Sequence, residues 1–271
     1  MTHPMISANQ KEFYEEEGYL VLKNPNLYDI SELQLWTQQV LLWPKETGKW
    51  MPYYEINEQG EKQLMRTEKI VDYHDGFRGL LCGDTVLSLL KSLIGKDVVL
   101  FKDKINYKLP GAGGFQAHLD APAYNHIGDI VHTNVMIAMD AQNSENGCVE
   151  IVPGSHTMDI PLVGGGSIDP EWESKQNFIK LPLEPGDILI FGSSLAHRSG
   201  PNKTASQRAA FFATYNYKED GTALREKYYA HRRKYFPPDH ERTMGEGYDN
   251  GWERYAFSAP FTKPVALETT M

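Results

Sequence analysis

Two histidines and one aspartate supply the donor groups of a metal site. His118 and Asp120 lie two positions apart, and on an extended chain such residues share one face, about 7 Å apart at the backbone. The third candidate, His197, follows an apolar run at residues 188–191 and precedes a turn-forming stretch. Two imidazoles and one carboxylate are the donor set of non-haem iron(II) centres, which keep positions open for a bidentate cosubstrate and dioxygen.

An arginine accompanies these residues. Arg208 stands eleven positions after His197, across a turn-forming segment at residues 200–203. A hairpin there would return the guanidinium to the metal pocket, where its planar fork suits a carboxylate. Each residue also has an ordinary alternative, because an HxD pair is common by chance and a single histidine more often packs in a core or lies at the surface. His126 and His132 are further candidates for a direct role.

Composition and charge limit the class of protein. The 271 residues are 41% hydrophobic and 23% charged, which is typical of a globular protein, and we expect a single domain. The formal net charge is −9, so no global field attracts nucleic acid or an anionic membrane. We therefore expect a small-molecule partner, and the oligomeric state stays open. No apolar leader and no apolar run of roughly 18 residues is present, so we expect a cytoplasmic protein with Cys82 and Cys148 both buried.

The elements that must position these residues change in type along the chain. Helical spacing predicts helices at residues 7–17, 31–42 and 85–94, with a strand at residues 19–22. Later segments are rich in Val, Ile, Phe and Tyr, and predict strands at residues 98–107, 132–139, 148–152, 187–191 and 208–217. Since no helices intervene to make crossovers, this pattern favours an antiparallel sandwich or jelly roll.

The predicted domain has three parts. Residues 1–97 form a helical N-terminal part, residues 98–217 a β core, and residues 218–271 a C-terminal extension. Segments 48–54 and 64–68 come from the helical part and are expected to supply a lid. The basic and aromatic run at residues 225–235 is expected to be a helix packed by its tyrosines, and Gly164-Gly165-Gly166 a flexible loop.

Three ordered segments resemble the phytanoyl-CoA dioxygenase (PhyH) family of iron(II)- and 2-oxoglutarate-dependent oxygenases. The segments are residues 114–120, residues 145–156, and the stretch from Pro185-Gly186-Asp187 to Arg208. Together they lie within residues 98–217 and look nearest to the branch that hydroxylates small molecules of the aminoethylphosphonate or ectoine type. The resemblance implies a mainly β fold with helical additions, in which N-terminal helices pack on a double-stranded β-helix, a cupin-like jelly roll.

The resemblance also implies roles for individual residues and cofactors. Iron(II), 2-oxoglutarate and dioxygen would be required. The implied iron ligands are His118, Asp120 and His197. The implied cosubstrate contacts are Arg208, Ser199, Asn106 and Thr133.

The implied activity is hydroxylation of a small polar metabolite, an aminophosphonate or a quaternary amine, with release of succinate and carbon dioxide. Asp120 argues against halogenation, because halogenating relatives carry a small residue at this position. Two alternatives keep the same cofactors: hydroxylation of an acyl-CoA, and desaturation or cyclisation in secondary metabolism. A third is a catalytically silent metal-binding sensor or interaction module.

Overall fold

The structure, a computed structural model, describes residues 6–260. The helices of this part are α1 (Ala8–Glu17), α2 (Ile30–Leu41), α3 (Asp75–Leu81), α4 (Asp84–Ile94), α5 (Pro170–Ser174), α6 (Leu224–Tyr235) and α7 (Asp249–Tyr255). The strands of its first half are β1 (Tyr19–Leu22), β2 (Met51–Ile56), β3 (Lys62–Glu68), β4 (Val98–Lys108), β5 (Phe115–His118) and β6 (His132–Ala138). Those of its second half are β7 (Val149–Ile151), β8 (Leu162–Gly164), β9 (Ser167–Ile168), β10 (Ile179–Leu181), β11 (Ile188–Gly192), β12 (His197–Ser199) and β13 (Arg208–Tyr217).

The strands form two antiparallel sheets. The larger sheet has seven strands in the order β1-β11-β6-β13-β4-β3-β2, and the smaller has six in the order β10-β7-β12-β5-β9-β8. Strands distant in sequence are neighbours in both sheets, as the jelly-roll prediction requires. The mainly β fold with helical additions is therefore confirmed.

The outer face of the larger sheet carries the main hydrophobic core. Apolar residues of α2, α3 and α4 pack there against alternate residues of the central strands, such as Ile105, Val135 and Phe211. This packing confirms that N-terminal helices lie on the β core. The opposite face of the same strands looks toward the smaller sheet, because successive side chains of a strand point to opposite faces. Polar residues can therefore line the space between the two sheets, while their chain neighbours pack in the hydrophobic core on the outer face.

The first helix and strand follow directly from local sequence. Ser7 caps α1 through a capping box with Gln10, and Gly18 ends the helix in the left-handed conformation (φ 78°). The chain then enters β1, which pairs with β11. The predicted helices at residues 31–42 and 85–94, the strand at residues 208–217 and the helix at residues 225–235 are confirmed as α2, α4, β13 and α6.

Three expectations are corrected. Segments 48–54 and 64–68 were expected to belong to a helical part that supplies a lid. They lie instead in the hairpin of β2 and β3, and β3 pairs with β4 in the larger sheet. Cys82 is exposed and Cys148 is buried, and both are free thiols. The Gly164–Gly166 segment lies in the hairpin of β8 and β9 and packs against Phe257, so it is part of the packed structure. Within residues 6–260, no helix combines the length and apolar character needed to cross a membrane.

Candidate active site

The two histidines and the aspartate meet between the sheets. His118 ends β5 and His197 begins β12, and these residues are directly paired in the smaller sheet. The Nε2 atom of each histidine lies 3.9 Å from a carboxylate oxygen of Asp120. One donor atom from each of the three residues falls within 4.8 Å of the others. Sheet register therefore brings together donors that are 79 positions apart in the chain, counted from His118 to His197.

Asp120 reaches this position through a turn, contrary to the expectation of an extended segment. Its backbone has φ −77° and ψ −32°, at the entry to a short 3-10 turn over Ala121–Ala123. The backbone amide of Asp120 donates to the carbonyl oxygen of Ser193 at 3.0 Å. Pro122 favours such a turn because its ring fixes φ. The turn, and not strand alternation alone, aims the carboxylate at the two histidines.

Hydrogen bonding leaves the Nε2 atom of both histidines available. The Nδ1 atom of His118 lies 2.7 Å from the carbonyl oxygen of Gln116, and that of His197 lies 2.9 Å from the carbonyl oxygen of Leu195. A carbonyl oxygen accepts only, so the proton of each neutral ring resides on Nδ1. This is the arrangement in which metal-binding histidines are usually held.

Burial and local charge set the protonation states of the three groups. Burial, with the adjacent His197, lowers the pKa of His118 to about 3, and burial also lowers the pKa of His197. Burial would raise the pKa of Asp120, but the surrounding His197, Lys104 and His118 outweigh it and lower the pKa below its usual range. At neutral pH the cluster therefore offers two neutral imidazoles and one carboxylate, which fit a divalent iron ion.

A second cluster of polar groups lies beside the first, on the inward faces of β4, β12 and β13. Arg208 is 2% exposed, its Nη2 donates to the carbonyl oxygen of Gly147, and its Nε has no hydrogen-bond partner among the described residues. Lys108 donates to the hydroxyl of Ser199 at 2.9 Å. These residues and Asn106 line one cavity. The cavity extends to the metal-site cluster, which consists of His118, Asp120 and His197. A buried cation with an unpaired N–H fits the distal carboxylate of 2-oxoglutarate.

Thr133 is not brought into this cavity. It lies on β6, where Asn134 faces the metal-site cluster and donates to Asp120. Since adjacent residues of a strand point to opposite faces, Thr133 points to the outer face of the sheet, where it forms a side-chain hydrogen bond with Tyr14 of α1. The implied cosubstrate contact at Thr133 is corrected for this reason. His132 shares the inward face, but its ring packs between Phe101 and Tyr124.

Sequence reasoning missed the basic residues around the metal-site cluster. Lys102, Lys104 and Lys108 alternate with Asp103, Ile105 and Tyr107 along β4, so the three lysines share the inward face. A signal was present in the sequence. Lysine is almost never buried without a partner, and three lysines separated by two and four positions along one strand share a face, which indicates a polar interior surface.

The side of the metal-site cluster away from Arg208 opens into a second cavity. Its basic residues are Arg66, Lys102, Lys104 and Arg232, and its aromatic residues are Phe115, Tyr255 and Phe257. Glu68 lies close by, but its carboxylate already pairs with Arg232 at 2.6 Å and with Arg66 at 3.2 Å. The cavity is therefore lined by more basic than acidic side chains.

Comparison with known proteins shows the family to which the chain is similar. The model of the phytanoyl-CoA dioxygenase (PhyH) family matches residues 14–210. The chain is 46% identical over 240 residues to dioxygenase lolE1 of Epichloe uncinata, covering 88% of this chain and 93% of the relative. It is 35% identical over 258 residues to the 2-aminoethylphosphonate dioxygenase of the uncultured bacterium HF130_AEPn_1, covering 94% and 98%.

The fold is also found in a solved structure. EctD from S. alaskensis, crystallised with 2-oxoglutarate and 5-hydroxyectoine, superposes with a TM-score of 0.67 at 21% identity, over 81% of this chain and 79% of that one. The two-sheet fold, its histidine and aspartate cluster and the family match together define an iron(II)- and 2-oxoglutarate-dependent dioxygenase. Within that class, the chain belongs to the phytanoyl-CoA dioxygenase (PhyH) family.

Proposed function

We propose that this dioxygenase hydroxylates a small anionic metabolite, of which a phosphonate is the leading example. One observation carries the proposal. Lys102 and Lys104 face the interior beside Asp120, and within residues 6–260 neither has a carboxylate oxygen within ion-pairing distance. Burial lowers the pKa of both lysines, that of Lys102 to about 8. An anion placed between them would offset the cost of burying two positive charges.

The charge of the cavity supports a phosphonate over a quaternary amine, the two substrate classes expected from sequence. A quaternary amine would bring a permanent positive charge next to Lys102, Lys104 and Arg66, and like charges in a shielded pocket repel strongly. A phosphonate brings negative charge and several acceptor oxygens, which suit lysine and arginine donors. The 35% identical relative supports this choice, since its name specifies a phosphonate substrate.

We propose that His118, Asp120 and His197 hold iron(II), and that Arg208 binds the distal carboxylate of 2-oxoglutarate. Lys108, Ser199 and Asn106 complete that half of the site. When bound, iron(II) and 2-oxoglutarate together supply dioxygen activation, with release of succinate and carbon dioxide. The chain's own residues position 2-oxoglutarate and the substrate on opposite sides of the metal-site cluster. The aromatic rings of Phe115 and Phe257 exclude water from the cluster.

The experiment is a succinate-release assay with iron(II) and 2-oxoglutarate across small phosphonates, quaternary amines and acyl-CoA compounds. We expect turnover with a phosphonate, confirmed by mass spectrometry of a product one oxygen atom heavier. Lys102→Met and Lys104→Met should each raise the substrate KM by roughly tenfold or more, since losing a charged hydrogen bond costs about 1.5–3 kcal/mol.

Lys91→Met is the matched control, because Lys91 pairs with Asp97 at the surface and is far more exposed. Turnover of a quaternary amine with no turnover of any anion would overturn the proposed substrate class. A product two hydrogen atoms lighter would replace hydroxylation by desaturation. Anaerobic binding of iron and 2-oxoglutarate without turnover of any compound would favour a sensor.

The two sheets share one interior with the N-terminal helices packed outside, and we propose that the chain functions as a single domain. We propose a cytoplasmic location, supported by the two free thiols, which reducing compartments maintain. Limited proteolysis and fluorescence microscopy of a tagged chain would test these two points.

A further inference from the structure

A buried amide connects the metal-site cluster to the centre of the larger sheet. Asn134 lies on β6 and is 2% exposed, and its Nδ2 donates to Oδ2 of Asp120 at 3.0 Å. Thr214 lies opposite Asn134 in the register of β6 and β13. The hydroxyl of Thr214 donates to Oδ1 of Asn134 at 2.7 Å. The three residues form one hydrogen-bonded chain that ends on the carboxylate.

The direction of this chain is fixed by chemistry. An ionised carboxylate only accepts, so Asn134 must present its NH2 group to Asp120. The amide oxygen then faces Thr214, whose hydroxyl must donate. The orientation of the Asn134 amide is therefore determined by its two partners, although oxygen and nitrogen are otherwise interchangeable in shape.

The two oxygens of Asp120 differ as a result. Oδ2 accepts from Asn134, whereas Oδ1 has no hydrogen-bond donor among residues 6–260. Each oxygen lies 3.9 Å from a histidine Nε2 atom, Oδ1 from that of His118 and Oδ2 from that of His197. Hydrogen bonding draws electron density from Oδ2 and restrains rotation of the carboxylate. Oδ1, which accepts no hydrogen bond, is left as the stronger donor atom.

We infer that Asn134 is a positioning residue that, with Thr214, restricts Asp120 to coordination through a single oxygen. This inference rests on the proposed iron ligands. A carboxylate free to bind through both oxygens would occupy one more coordination position, and the site needs its open positions for the cosubstrate and dioxygen. Residues that orient metal ligands in this way typically change metal affinity by roughly 10- to 100-fold when removed.

The test is direct metal titration, independent of turnover. Co(II) serves as the probe, because its visible spectrum reports the number and geometry of its ligands. We expect Asn134→Leu and Thr214→Val to weaken Co(II) binding by roughly 10- to 100-fold and to change its spectrum. Thr214→Ser keeps the hydroxyl and should restore both. Thr214→Val changes only one group, so it remains informative where Asn134→Leu does not fold.

Thr133→Val is the matched control, because Thr133 is the chain neighbour of Asn134 on the opposite face of β6. It should leave the affinity and the spectrum of Co(II) unchanged. Wild-type binding and spectra in both Asn134→Leu and Thr214→Val would overturn the inference. Wild-type binding in Asp120→Ala would instead overturn the proposed ligand set, so the two failures are distinguishable.

Discussion

Arg208 and Lys108 lie directly opposite each other in the register of β13 and β4, and both side chains contact the carbonyl oxygen of Gly147. Two buried cations therefore share one neutral acceptor. Burial lowers the pKa of Arg208 to about 10 and that of Lys108 well below its usual range. Within residues 6–260 no carboxylate pairs with either. A dicarboxylate cosubstrate would supply the missing negative charge.

Replacing Arg208 should affect 2-oxoglutarate and leave iron binding intact. We expect Arg208→Met to raise the KM for 2-oxoglutarate by roughly 100-fold, because a charge-assisted hydrogen bond in a shielded site contributes about 3 kcal/mol. Arg208→Lys should recover only part of this loss, since an ammonium lacks the planar fork. The Tm of the wild type should rise on adding 2-oxoglutarate, and that of Arg208→Met should not. An unchanged KM in Arg208→Met would contradict the assignment.

Lys108 should act on the same ligand more weakly. Its Nζ reaches Ser199 and the carbonyl oxygen of Gly147, so it supports the site as a point charge. We expect Lys108→Met to raise the KM for 2-oxoglutarate by roughly tenfold, equivalent to about 1.4 kcal/mol, with little change in the substrate KM. Isothermal titration of 2-oxoglutarate into the anaerobic iron-loaded protein would measure the effect. A larger change in the KM for the substrate than in the KM for 2-oxoglutarate would contradict this prediction, because it would show that Lys108 contacts the substrate.

The Glu68–Arg232 ion pair should make stability depend on acid. Burial raises the pKa of Glu68, but Arg232, Lys102 and Arg66 outweigh it and lower the pKa from 4.5 to about 2. The carboxylate therefore contributes stability that is present above pH 4.5 and is lost as the pH falls toward 2. The difference corresponds to about 3 kcal/mol.

Glu68→Gln should lower the free energy of unfolding at pH 7 by about 3–5 kcal/mol, because Arg232 is left as an uncompensated buried charge. Its stability should also fall less steeply than that of the wild type between pH 4.5 and pH 2. Urea denaturation at several pH values measures both effects. Glu171→Gln removes the exposed ion pair with Lys175 and should change stability by no more than about 0.5 kcal/mol. Equal losses in the two variants would refute the prediction.

Gly166 should be intolerant of a side chain because it contacts the chain between two proposed ligands. Its carbonyl oxygen accepts from the amide of Leu119 at 2.9 Å. A Cβ at this position would collide with the carbonyl oxygen of Leu119 and lie 2.7 Å from the ring of Phe257. We expect Gly166→Ala to destabilise the fold by about 1–3 kcal/mol and to weaken Co(II) binding.

Gly79→Ala is the control for this substitution. A Cβ at Gly79 in α3 meets nothing within 4 Å, and alanine in a helix is favoured over glycine by about 0.5–1 kcal/mol. Thermal denaturation and metal titration of the two variants make the comparison. Normal metal affinity in Gly166→Ala would show that the hairpin of β8 and β9 does not position Leu119.

Much of the fold follows from local sequence. The capping box at Ser7, the glycine that ends α1 and the run of residues 208–217 rich in Phe and Tyr are local features, so they can be recognised without the tertiary structure. The hairpin of β2 and β3 was missed because its strands contain charged residues and Pro52. Pairing with β4, a long-range contact, determines that these segments are strands.

The sequence by itself determined the donor chemistry: an HxD pair, a later histidine and an arginine eleven positions beyond it. Only the tertiary structure decided which side chains face one another. A shift of one residue along β6 separates Asn134, which contacts Asp120, from Thr133, which contacts Tyr14. The register of β5 and β12, and the inward face of the lysines on β4, depend on contacts between distant strands. Residue type is a local property, whereas the face of a strand that turns to the interior is determined by the elements against which the strand packs.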